Sequence, residues 1–151
     1  MKIETNTKIY HFIEQEDFDS YQVETEYRLI DNDINIRLGV LGFQNGNYNH
    51  NYQPDADEWQ LYSDASEGII ETIFDKIATR EDEDERDNIE KYIDINIDDI
   101  LDEINENTKK LQAYINNDKD KLKKLLILLS HEFIKNAPTC EFCEQNPREV
   151  I

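Results

Sequence analysis

Basic residues are scarce in this chain: 16 Lys and Arg stand against 35 Asp and Glu, a formal net charge of −19. A field of that sign repels nucleic-acid phosphates and anionic membranes and attracts basic partners, which argues against direct DNA or RNA binding and against membrane association. Long apolar runs are missing as well. The longest, Leu125 to Leu129, is far too short for a bilayer. Met1 to Glu14 is polar and lacks the apolar core of a signal peptide. The expected location is therefore the cytoplasm. Two Cys cannot build a disulfide framework. Low Gly and Pro contents, with 10% aromatics and many Ile and Leu, argue against a disordered chain. The 151 residues suffice for one domain with a sizeable core.

What is present falls into two halves. Residues 1–62 read as sheet. Tyr21, Val23, Thr25, Tyr27 and Leu29 alternate with polar residues, and the alternation resumes at Ile34, Ile36, Leu38 and Val40 after an Asp31 to Asp33 turn. Ile9 to Ile13 is expected as the first strand. Gly39 and Gly42 suggest a bulge or a close backbone approach, and Asn45-Gly46 a type I′ hairpin turn. Short strands are expected at Tyr48 to Tyr52 and Trp59 to Tyr62. Residues 64–136 read as helix. Asp64 and Glu67 have capping-box spacing before Ile69. One long helix is expected through Ile97, Leu101, Ile104, Thr108, Leu111 and Ile115, a heptad-like seam that suits either an intramolecular hairpin or a homodimer. After a break at Asn116 to Asp118, Leu122, Leu125, Leu126, Leu129 and Phe133 mark a last core helix. Lys119 to Lys124 would be a small basic patch at the hairpin tip. The expected class is α+β: an antiparallel sheet of 3–5 strands, then 3–4 helices including an antiparallel αα-hairpin. Residues 1–136 would form one domain, and 137–151 a tail carrying CxxC.

The charge is uneven. From Pro54 to Asn107 there are 20 Asp and Glu against four Lys and Arg, so that third of the chain holds −16 of the −19. Asp94, Asp98, Asp102 and Glu106 are four apart, as are Asp99 and Glu103, which on a helix makes two adjacent rows of carboxylates. Like charges at that spacing destabilise a helix by roughly 0.2–0.5 kcal/mol per pair. These six acids span ~18 Å, or about one charge per 3 Å, near the ~3.4 Å per phosphate of a nucleic-acid strand. With Glu81, Asp84 and Glu85 upstream, they form a candidate partner-binding surface. The ordinary alternative is a solvated helix face. Tyr48, Tyr52 and Trp59, in and beside the Asn/Tyr-rich stretch Asn45 to Tyr52, form a second candidate surface.

Other chemistry is thinner. Cys140 and Cys143 resemble half of a zinc ribbon, with His131 as a third candidate ligand; tetrahedral zinc needs four. Asp94, Asn96 and Asp98 begin like a calcium loop, but Asp99 replaces the required Gly and Asn105 the required Glu, so an EF-hand is rejected. Glu24 and Glu26 could join the helix acids in a carboxylate pair, though nothing fixes their geometry. His11, His50 and His131 are scattered, and no nucleophile motif is present.

In overall character the chain resembles two groups of small acidic bacterial and phage proteins: phage inhibitors of host defence, including nucleic-acid mimics, and immunity proteins that neutralise toxins. No motif carries either resemblance, so no residue role is transferred. It implies a non-enzymatic inhibitor that binds a basic bacterial protein, a nuclease or nucleic-acid-binding protein, in the host cytoplasm if phage-encoded. The alternatives are an immunity protein, a zinc-binding or metal-dependent enzyme, and a self-assembling structural protein.

Overall fold

The alternation along β2 (Phe18–Asp31) sets the layers of the molecule. Tyr21, Val23, Thr25, Tyr27 and Leu29 are all buried, and the residues between them are half-exposed. β1 (Lys2–Gln15) and β3 (Ile34–Asn47) flank β2 in antiparallel register, each 14 residues long. A computed structural model describes residues 1–15, 18–47, 60–62, 64–77 and 89–136. Within it the sheet runs β1-β2-β3-β4, with β4 (Gln60–Leu61) on the edge of β3 and β5 (Glu67–Gly68) also paired to β3. Four helices follow: α1 (Ile69–Ile77), α2 (Ile89–Asn107), α3 (Lys109–Ile115) and α4 (Lys119–Lys135). The class is α+β, an antiparallel sheet followed by helices, as the sequence pattern implies.

One core joins the layers. The inner sheet residues Val23, Tyr27, Leu29, Leu38 and Leu41 pack with Ile70 and Ile73 of α1, Ile93, Ile100 and Ile104 of α2, and Leu122 to Leu129 of α4. Edge-to-face aromatic contacts stitch it: Tyr27 to Phe133 at 5.4 Å, Phe133 to Phe74 at 5.2 Å, and Phe74 to Phe43 at 5.6 Å between centroids. Such pairs add about 0.5–1.5 kcal/mol each beyond area burial.

β1 is longer than the Ile9 to Ile13 expectation because its inner positions before Ile9 include threonines, which blur the apolar alternation. Thr7 and Thr25 share a hydroxyl hydrogen bond of 3.0 Å across the strands. The β2–β3 turn falls at Asn32-Asp33, where Asn32 takes the left-handed φ of 53°. Gly39 fulfils both expectations made of it. The register slips between Tyr27↔Gly39 and Arg28↔Arg37, leaving Leu38 as the extra residue of a bulge. Gly39 also has φ of 136°, and a Cβ there would lie 2.0 Å from the Glu67 carbonyl oxygen. At Gly42 a Cβ would lie 2.3 Å from that of Ala65, a second close approach.

Three local expectations are corrected. Asn45-Gly46 makes no turn, because both residues stay in β3, opposite Tyr21 and Ser20. The long partner strand β2 supplies a ladder that overrides the local turn preference. Asp64 and Glu67 do not cap α1: Glu67 is taken into β5 against Val40, and the helix starts only at Ile69. The long helix is broken at Thr108, which is extended (φ −139°, ψ 96°) and whose hydroxyl donates to the Ile104 carbonyl at 2.9 Å. The break re-aims α3 so that the Tyr114 hydroxyl donates to Asp31 Oδ2 at 2.6 Å. Asn116 and Asn117 then turn the chain with positive φ, and the Asp118 carboxylate caps α4 by accepting from the backbone N–H of Asp120 and Lys121. Residues Tyr48 to Tyr52 lie outside the described residues, as does Trp59; of the strand expected at Trp59 to Tyr62, Gln60–Leu61 forms β4.

Candidate functional site

The buried stripe of α2, formed by Ile93, Ile100, Leu101 and Ile104, fixes which way its acids point. Asp94, Asp98, Asp99, Asp102 and Glu106 are exposed on the other side, together with Glu90. Glu103 is half-buried, and its side chain accepts a 3.0 Å hydrogen bond from Asn107 Nδ2. The helix carries no basic residue in its last turn. Its C-terminal dipole is thus left with acids nearby, an unfavourable arrangement for the helix itself.

The two carboxylate rows are not equivalent, a distinction invisible in α2 alone. Lys119 Nζ lies 2.6 Å from Asp98 Oδ1, and Lys123 Nζ lies 3.0 Å from Asp94 Oδ1. As the position on α2 falls, its partner on α4 rises, so the two helices run antiparallel as expected for the αα-hairpin. Asp98 and Lys119 keep side-chain exposures of 72% and 57%, so this is a solvated ion pair. The hydrogen bonds to Asp98 and Asp94 raise the pKa of Lys119 and Lys123 above the ordinary lysine value. The expected Lys119 to Lys124 basic patch is accordingly not free. Two of its lysines neutralise α2, and Lys121 donates to the Tyr114 carbonyl at 3.0 Å while lying 4.2 Å from that ring's centroid. Lys119 and Lys123 are four apart, like Asp94 and Asp98, so a single register of the two helices serves both pairs.

Asp99, Asp102, Glu103 and Glu106 make no ion pair among the described residues. Ile95 lies one residue after Asp94 and four before Asp99, and is 64% exposed. It is an apolar point within the acidic face that the periodicity did not single out. The heptad-like seam is committed to the chain's own fold: Leu101, Ile104, Leu111 and Ile115 are buried in the core.

The other acidic cluster is built differently. Glu24 and Glu26 lie on the outer face of the sheet, away from the helices. Glu26 accepts from Arg28 Nε at 2.8 Å and from Arg37 Nε at 2.9 Å, and Arg37 also pairs with Glu67. The Arg37 hydrogen bond, then that from Arg28, holds the Glu26 carboxyl below its ordinary pKa. The Tyr62 hydroxyl donates to Glu24 at 2.7 Å. Burial, then this contact, pushes the Tyr62 phenol upward. The sheet separates these acids from α2, so a carboxylate pair between them is not formed.

An open groove of about 630 Å³ lies where α4 meets the β2–β3 turn, lined by Met1, Asp31, Tyr114, Lys124, Ile127 and Leu128 among others. Burial, then the Asp31 hydrogen bond, pushes the Tyr114 phenol up to about 12.

His131 is exposed on α4, and no group of three metal-ligating side chains occurs among the described residues. Cys140, Cys143, Glu81, Asp84, Glu85, Tyr48, Tyr52 and Trp59 lie outside the described residues. No helix among those described is long and apolar enough to cross a membrane. No protein-family model matches the chain, and neither a curated protein nor a solved structure is detectably similar to it.

Proposed function

We propose that the chain is a non-enzymatic acidic inhibitor that occupies the nucleic-acid site of a basic bacterial protein, using the solvent face of α2. The observation that carries this reading is the row of exposed carboxylates on α2, of which only Asp94 and Asp98 are neutralised by lysines. The members without an ion pair among the described residues, Asp99, Asp102 and Glu106, with Glu103 beside them, leave a helical edge whose charge spacing approaches that of a phosphate strand. Ile95 supplies an apolar contact within that edge, the combination of an apolar centre and a charged rim that protein interfaces use. Binding steered by such a surface is fast and weakens steeply with salt.

The test is capture of a basic nucleic-acid-handling protein by the full chain at low salt, followed by competition with DNA. Changing Asp98, Asp99, Asp102 and Glu103 to their amides is expected to abolish capture. Binding that DNA does not displace and the amides do not weaken would refute the assignment.

A further inference from the structure

β1 is an edge strand. It pairs with β2 on one side, and its other side pairs with nothing among the described residues. β3's outer edge, in contrast, carries β4 and β5. The open edge is also unusually regular. Its register with β2 is unbroken from Lys2 to Ile13, and the strand contains no Pro and no Gly. Proteins usually blunt such an edge with bulges, Pro or lysines. Here only Lys2 and Lys8 serve that purpose, and Lys8 lies four residues from Glu4.

We propose that β1 pairs antiparallel with β1 of a second copy, on a two-fold axis at Asn6, to join the two sheets. The register follows from the strand's own charges. With Asn6 opposite Asn6, Glu4 of each copy faces Lys8 of the other, so the outer face gains two opposite-charge pairs related by symmetry. Neither Glu4 nor Lys8 makes an ion pair within its own chain among the described residues, so both are available. On the inner face, Ile3 meets Ile9 and Thr5 meets Thr7. Ile3 and Ile9 are only partly buried in one chain, at the margin of the core.

Neighbouring registers are worse. A two-fold at Thr5 sets Lys2 against Lys8. A two-fold at Glu4 sets Glu4 against itself. A parallel in-register pair stacks every charge on its like. A two-fold at Thr7 avoids like charges but forms no opposite-charge pair. The Asn6 register keeps residues of equal parity opposite each other, so it satisfies the outward backbone groups whichever alternate set faces the open edge. It aligns Lys2 to Tyr10 of both copies, about 30 Å of ladder.

The test is the mass of the full chain in solution by sedimentation across a concentration series. A dimer is expected for the natural sequence. Glu4→Lys and Lys8→Glu should each weaken it by roughly tenfold or more, because two attractive contacts become two repulsive ones. An equimolar mixture of these two variants should recover the dimer, since the paired lysines of one variant then face the paired glutamates of the other. Recovery in the mixture also shows that both variants are folded. A natural chain that stays monomeric overturns the proposal. So does a dimer indifferent to either change, or two weakened variants that fail to recover on mixing.

Discussion

The outer face of the sheet and the outer face of α2 are both rich in acid, yet they are built on opposite plans. On the sheet, Glu26 sits between Arg28 and Arg37, and Arg37 reaches on to Glu67, so charges from β2, β3 and β5 close a network. On α2 the acids stand four apart in rows, and only Asp94 and Asp98 find lysines, both from α4. The first arrangement holds strands together. The second costs the helix something and contributes little to the fold, which is why it is the better candidate for recognition. Net charge cannot separate these two cases; partner geometry does.

The largest break in the comparison should come at Gly39. A Val there would drive its side chain into the Glu67 backbone and impose a strained φ, costing about 3 kcal/mol. Urea unfolding would read this as a large drop in midpoint, since β5 and its Glu67 would leave Arg37. Next comes Glu26→Gln, which removes a carboxylate from two guanidinium contacts. The expected loss is about 0.5–1 kcal/mol, discounted for its partial exposure.

The same variant tests the pH dependence. The folded pKa of Glu26 is depressed. Its stabilising contribution is therefore complete above the ordinary carboxylate pKa and disappears as pH falls through the depressed value. Stability measured between neutral and strongly acidic pH should show a shallower acid-side decline in Glu26→Gln than in the natural chain.

The helix face should respond with the opposite sign. Amides at Asp98, Asp99, Asp102 and Glu103 remove like-charge pairs and should leave thermal stability unchanged or raise it by a few tenths, roughly 0.2–0.5 kcal/mol per pair relieved. Partner capture should be lost all the same. A matching loss of stability would show these acids to be structural. The smallest effect is expected from Lys119→Ser with Lys123→Ser. Melting should move little, because these pairs are solvated, while the freed Asp94 and Asp98 should tighten low-salt capture of the basic partner.

The period-2 pattern of β2 was legible without a structure because its inner face is fully buried and, Thr25 apart, apolar or aromatic. The same holds for the apolar stripes of α2 and α4. β1 was legible only in part, since Thr5 and Thr7 occupy inner positions at the sheet margin. Asn45-Gly46 misled because a turn signal is local and a 14-residue partner strand is not. The carboxylate rows could be read directly from spacing. Their neutralisation could not, because the lysines belong to another helix and their reach depends on the hairpin register. The complementarity proposed for β1 was hidden for a similar reason: Glu4 and Lys8 gain meaning only once β1 is placed at the end of the sheet, with no further strand beside it among the described residues.

The most direct test of the central claim is the salt dependence of partner capture by the natural chain and by the four-amide variant, from about 50 mM to about 500 mM salt, where screening shortens the range of surface charge severalfold. Capture of a basic nucleic-acid-handling protein that falls steeply with salt, and is absent in the variant at every salt, is the predicted result. Equal capture by both proteins across the range would contradict the assignment of the α2 face as the binding surface.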